Sequence, residues 1–192
     1  GVLRTDLFGD WGSLEITYAF QINLRQEYDQ VRDDIDEAQF DFTLRTHSID
    51  TLYQHQTIFS TFGDLNGGLG FQSSFQENVY RGLSLIPNYR SFTGGLFLYE
   101  RLSLGRVDVE AGARADGLSR AAYLPENDYD AHVRNGSLDN THCEPLDTTV
   151  RCPADYTAYS LSIGTLVHVV PDRLYLKVDL SNASRFPIID EL

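Results

Sequence analysis

Leu14-Glu15-Ile16-Thr17-Tyr18-Ala19-Phe20-Gln21-Ile22-Asn23-Leu24-Arg25 decides the fold class of this chain. Leu14, Ile16, Tyr18, Phe20, Ile22 and Leu24 fill every second position, and Glu15, Thr17, Gln21, Asn23 and Arg25 lie between them. Successive side chains of an extended strand point to opposite sides, so this spacing sorts the residues onto one apolar and one polar face. A helix, repeating every ~3.6 residues, would scatter the same residues around its axis.

The pattern returns on both sides of that stretch. Val107, Val109, Ala111, Ala113 and Ala115 oppose Asp108, Glu110, Arg114 and Asp116. Leu174, Leu176, Val178 and Leu180 oppose Arg173, Tyr175, Lys177 and Asp179. Phe40, Phe42 and Leu44 alternate with Asp41, Thr43 and Arg45, and Tyr159, Leu161, Ile163, Val167 and Val169 with small or polar residues. Eight strands are expected, at 2–8, 13–28, 37–58, 67–77, 92–104, 107–123, 156–170 and 173–185, and no helix. The strand at 37–58 is read as one long element. Short links such as Gly9-Asp10-Trp11-Gly12 and Leu104-Gly105-Arg106 alternate with longer polar links at 29–36, 78–91 and 124–155. Outer-membrane barrels are built this way, with tight turns at one end and long loops at the other.

Composition agrees with an all-β chain. Its 192 residues hold 11 Tyr, 11 Phe and 15 Gly but no Met, a balance that favours strands and turns. Fifteen basic side chains against 28 acidic ones give a formal charge of −13. Nucleic acid is excluded as a natural partner, because phosphate contact needs clustered Lys and Arg. No apolar run approaches the ~20 residues of a membrane helix, and Gly1-Val2-Leu3-Arg4 does not open a signal peptide. A membrane barrel stays open, since its strands are apolar on only one face. Cys143 and Cys152 flank a segment rich in Pro, Asp and Thr. They read as a disulfide within a loop, in an oxidising compartment, or else as two reduced cytosolic thiols.

Several stretches, in order, resemble the middle of a TonB-dependent outer-membrane receptor. They are Tyr18 to Glu27; Leu44 to Asp50, followed by His55; Gly68, Gly70 and Gln76 with Leu85-Ile86-Pro87-Asn88-Tyr89; and Gly95 to Glu100 followed by Val109 to Asp116. The most specific is Leu180-Ser181-Asn182-Ala183-Ser184-Arg185-Phe186-Pro187 before Asp190-Glu191-Leu192, which is similar to the family's Ser, Arg, Pro, Glu-Leu signature. The family usually has Tyr near Ala115, which this chain lacks.

The resemblance implies a transmembrane antiparallel β-barrel of roughly 22 strands with a plugged lumen. Residues 1–192 would then be a partial barrel domain of about eight strands, an internal section without plug or closing strand. It further implies a bacterial outer-membrane location, contact with lipid, and coupling to the TonB complex through a plug region outside this section. The cargo would be a small molecule or metal chelate such as siderophore-iron, haem or cobalamin. No resident cofactor is expected.

Loops on a rigid scaffold carry recognition, which directs attention to 124–155 and 78–91. Tyr129, His132 and His142 in the first, and Tyr80 and Tyr89 in the second, are the expected substrate contacts. His132 and His142 lie among many acids, and imidazole with carboxylate can ligate a divalent metal, although their spacing fits no compact motif. His47 and His55 share one strand face, as polar strand residues or lumen-lining groups. His168 belongs to the polar face, hydrogen-bonded or wet. Enzyme motifs are missing: there is no Gly-x-Ser-x-Gly elbow, phosphate loop or zinc-protease helix. Three other readings fit the alternation. One is a secreted β-sandwich binding carbohydrate through Trp11 and tyrosines. The others are a small closed eight-stranded barrel and an outer-membrane barrel without transport.

Overall fold

The computed structural model describes residues 1–28, 38–82, 86–134, 142–171 and 173–187. The link at 29–36, residues 135–141 and the Asp190-Glu191-Leu192 motif therefore lie outside the described residues. Among the described residues, ten strands form one antiparallel sheet. They are β1 (Val2–Gly9), β2 (Gly12–Glu27), β3 (Phe40–His55), β4 (Ile58–Phe59), β5 (Asp64–Gly82), β6 (Asn88–Leu104), β7 (Val107–Pro125), β8 (Glu144–Leu146), β9 (Thr149–Val170) and β10 (Leu174–Asn182). One helix, α1 (Glu126–Arg134), follows β7. Eight strands run as a meander in the order β1-β2-β3-β5-β6-β7-β9-β10. The sheet is open, with β1 and β10 at its edges.

All-β architecture and antiparallel order therefore stand, but several boundaries move. The expected strand at 37–58 stops at His55. Ile58 and Phe59 form a separate short strand that turns back onto Leu65 and Asp64. The strand expected at 67–77 runs from Asp64 to Gly82, and that at 92–104 begins at Asn88. The β5–β6 link thereby shrinks to 83–87, shorter than the stretch between β3 and β5, so links do not alternate strictly in length. Tyr80 and Tyr89 are strand residues, not loop residues. Cross-strand hydrogen bonding extends a ladder past the point where side-chain alternation fades, and periodicity reports only the side chains.

The expected loop at 124–155 is also more ordered than its composition suggested. Pro125 ends β7, and Glu126 and Asp128 sit in the first turn of α1, where carboxylates offset the positive end of the helix dipole. Asp147 turns the β8–β9 hairpin with a φ of 52°, a left-handed conformation that Asp tolerates. Cys152 lies on β9, not in a loop. β9 extends over 22 residues, from Thr149 to Val170.

Register assigns each residue to a face. On β2, β3, β5 and β6, Phe20 lies beside His47, His47 beside Phe75, and Phe75 beside Phe92. Gln21 lies beside Thr46, Thr46 beside Gln76, and Gln76 beside Ser91. The first row belongs to an apolar face and the second to a polar one. β3 has the opposite phase to that expected from its first residues. Phe40, Phe42 and Leu44 are on the polar face, and Ile49 and Tyr53 on the apolar one. One register must serve the whole strand, because a one-residue slip would flip every side chain.

Among the described residues, neither face is covered by a second sheet or helix layer. Ile22, Leu24, Leu96, Leu161, Leu176 and Leu180 are each more than half exposed, and no large side chain among the described residues is fully buried. The few buried apolar residues, Ala121, Ala122, Leu124, Val150 and Ala158, gather where β7 meets β9.

Candidate functional site

The polar face is the surface that this sheet cross-links most heavily. Arg114, on β7, donates from Nη1 to Gln72 Oε1 at 2.6 Å and from Nη2 to Asp116 Oδ1 at 2.6 Å. Its guanidinium lies 5.7 Å from the Phe97 ring centre, a cation–π geometry. Phe97 in turn occupies the space above Gly70, directly across the strand pair, where a Cβ would collide with the ring. Glycine here lets a large ring lie flat on the neighbouring strand.

Nearer the short turns, Asp108 gathers a second group. Arg101 Nη2 donates to its Oδ2 at 2.5 Å, and His168 Nε2 lies 3.1 Å from the same oxygen. The Tyr175 ring meets His168 edge-on at 5.0 Å. Asp108 is buried, and a buried carboxylate needs such partners. His168 thus sits on the polar face with a hydrogen-bonding partner, as its position between two valines suggested.

Nearer the long links, Arg120 is buried at 6 % exposure. Its Cζ lies 5.2 Å from the Tyr156 ring centre, and its Nη1 donates to Pro187 O at 3.0 Å. The segment after β10 thus returns over the polar face. Ser184 N reaches Ser160 Oγ there. Phe186 and Pro187 close one side of a cavity of about 300 Å³, which Gln76, Tyr89, Ser91 and Thr93 also line.

The apolar face has a different geometry. Near the long links, Glu77 accepts from Arg45 at 3.3 Å and pairs with Arg90 at 2.9 Å. Near the short turns, His55 Nε2 lies 3.2 Å from Glu100 Oε2. Between Arg90 and Glu100, β6 presents Phe92, Gly94, Leu96 and Leu98 on this face. His47 and His55 do share a face, but it is the apolar one. His47 takes a hydrogen bond contact of 2.8 Å with Tyr18 and stacks 4.5 Å from Phe20. Their register opposite Phe20 and Gly12 sets them on the side of the apolar residues, not among the polar strand residues with which the alternation grouped them. Histidine can sit there because Tyr18 satisfies its ring nitrogen.

The expected contact residues divide into two groups. Tyr80 and Tyr89 fall on the polar face, Tyr80 opposite Phe42 and Tyr89 opposite Asn78 and Ala122. Tyr129 and His132 lie on α1, with Tyr129 half-buried, and His142 is exposed just before β8. Cys143 and Cys152 form a disulfide with a Cα–Cα separation of 4.2 Å, which ties the entry of β8 to β9. Among the described residues, no group of three or more His, Cys, Asp or Glu is placed to hold a metal ion. Sequence reasoning missed Arg120, Tyr156 and the Arg101–Asp108 pair as partners. Their only sequence signal was charge on the polar side of the alternation. No helix among the described residues is long and apolar enough to cross a membrane, which does not bear on strands. No family model matches the chain, and no curated protein matches it.

Proposed function

We propose that this chain is a section of the wall of an outer-membrane β-barrel, and that the barrel is a TonB-dependent transporter importing a metal chelate or similar scarce nutrient. The observation that carries the first part is the bounded apolar face. Arg90 and Glu100 are ten positions apart on β6, with only apolar or small residues facing the same way between them. Ten steps of ~3.3 Å span about 33 Å along the strand, or about 25 Å of height at a tilt of ~40°. An outward apolar band of an outer-membrane barrel is about 25 Å tall. Arg45 and Glu77 lie beside Arg90, and His55 lies beside Glu100, so the same two limits hold on β3 and the one at Arg90 on β5.

In this reading the polar face lines a wet lumen, and β1 and β10 pair with further strands of the barrel. Exposed strand edges and uncovered leucines are costly in water, and a closed wall in lipid removes both costs. The β-sandwich reading asks for a second sheet on the apolar face, whereas every strand among the described residues belongs to one sheet. Transport, as distinct from a plain barrel, rests on the likeness of Leu180 to Pro187 and the preceding stretches to the receptor family. Tyr129, His132 and His142 then belong to an outer extension that meets the cargo, with α1 and the disulfide-tied hairpin as its frame.

Cysteine accessibility in outer membranes of cells making the intact protein tests the wall. Leu96→Cys and Leu98→Cys should resist a membrane-impermeant maleimide, while Ser48→Cys and Ser74→Cys should react. Equal labelling on both faces would remove the membrane reading. Transport is tested separately, by growth of a deletion strain under iron, haem or cobalamin limitation. Unimpaired growth in all three would leave a barrel without that import role.

A further inference from the structure

We infer that the cavity beside Arg120 is a binding site for a small organic or inorganic anion, with Arg120 as its anchoring cation. Arg120 is buried, yet it takes part in no ion pair among the described residues; its partners are the Pro187 carbonyl, the Tyr156 hydroxyl at 3.4 Å and the Tyr156 ring. Its Nε is buried with no hydrogen-bond partner among the described residues. This is unusual in a chain with 28 acidic residues, where Arg101 and Arg114 each pair with a carboxylate on the same face. Taking a guanidinium out of water without a counter-charge is unfavourable, and an arriving anion would supply that charge.

The walls have the matching chemistry. Gln76, Ser91 and Thr93 bring an amide and two hydroxyls to the cavity, and among the described residues no carboxylate lines it. Amide and hydroxyl groups can all donate to an oxyanion. A guanidinium offers a planar fork that suits carboxylate or phosphate oxygens. About 300 Å³ is the lower end of small-molecule pockets, which suits a short carboxylate, a phosphate, or the anionic arm of a larger solute. The site deepens the transporter reading, on which its access from a wet lumen rests. It would give the transported or co-bound solute a negative charge.

The experiment is calorimetric titration of the intact, detergent-folded protein with succinate, with inorganic phosphate and with neutral glycerol, at low ionic strength. Saturable binding of succinate, phosphate or both is expected, with none of glycerol, and the stronger of the two identifies the oxyanion. Arg120→Gln should weaken binding at least tenfold, and Arg120→Lys less than that. Because Arg120 also tethers Pro187, Ser91→Ala and Thr93→Val provide a second reading: each should weaken binding severalfold without touching that tether. No saturable heat with either anion overturns the inference, as does full-strength binding in Arg120→Gln or in both wall variants. Maleimide labelling reports on the membrane wall independently, so the two ideas fail separately.

Discussion

The two faces of this sheet come from the same strands and the same hydrogen-bond ladder, yet they are stabilised in opposite ways. On the apolar face, side chains such as Leu96 and Leu161 stand more than half exposed and touch few neighbours beyond their own rows. On the polar face, Asp108 ties β7 to its neighbours through Arg101 on β6 and His168 on β9, and Arg114 reaches from β7 to Gln72 on β5. The difference teaches that the polar face is cross-linked by its own side chains along its length, while the middle of the apolar face is left uncovered among the described residues. A protein folding in water usually buries its apolar face and leaves the polar one wet. Here the polar side has the internal structure.

The largest effect should come from placing a charge on the apolar face. Leu96→Arg, near the middle of the band, should cost roughly 2–4 kcal/mol in a bilayer, while Ser74→Arg on the polar face should cost well under that. Urea unfolding of the intact protein in lipid vesicles measures both. Equal costs would break the comparison between the faces.

Next is the disulfide. Replacing Cys143 and Cys152 by Ser opens a ring of ten residues, for which chain-closure entropy gives about 2–3 kcal/mol. The loss should be local. Amide exchange should speed up in β8 and the first residues of β9, while amides of β2 and β3 keep their protection. Uniform acceleration would mean that the hairpin is coupled to the whole wall.

Asp108→Ala sharpens the polar side of the comparison. It strips Arg101 and His168 of their shared acceptor, and should cost about 2 kcal/mol, since Asp108 is buried while Arg101 remains partly in water. Arg4→Ala gives the smallest effect. Arg4 and its partners Asp6 and Glu15 are all more than a third exposed, so the change should cost less than about 1 kcal/mol. Equal losses in the two variants, by the same urea transition, would show that burial does not rank these ion pairs.

Much of the sheet was legible beforehand. The alternation from Leu14 to Leu24 placed β2 correctly, and that from Val107 to Asp116 placed β7, because period two has no other regular realisation. What misled was local composition. Phe40, Phe42 and Leu44 look like an apolar face, but their phase is fixed by pairing with β2 and β5 over the whole strand. The Pro, Asp and Thr between Cys143 and Cys152 read as loop, whereas β9 already begins at Thr149 and carries Pro153 within the strand, opposite Ala121. Of the candidate site, Tyr80 and Tyr89 were expected in a loop, whereas they lie on β5 and β6. Arg120 offered only its charge on the polar side of the alternation, since nothing in Ser119-Arg120-Ala121 says that Pro187, 67 positions away, will close over it.

By itself the sequence determined strand identity, the antiparallel succession and the contrast between two faces, because these depend on neighbours a few residues apart. Register, the bounded band between Arg90 and Glu100, and the burial of Arg120 were decided only by tertiary structure. Each depends on which residue of one strand lies beside which residue of the next, and that match is settled by the summed pairing of whole strands.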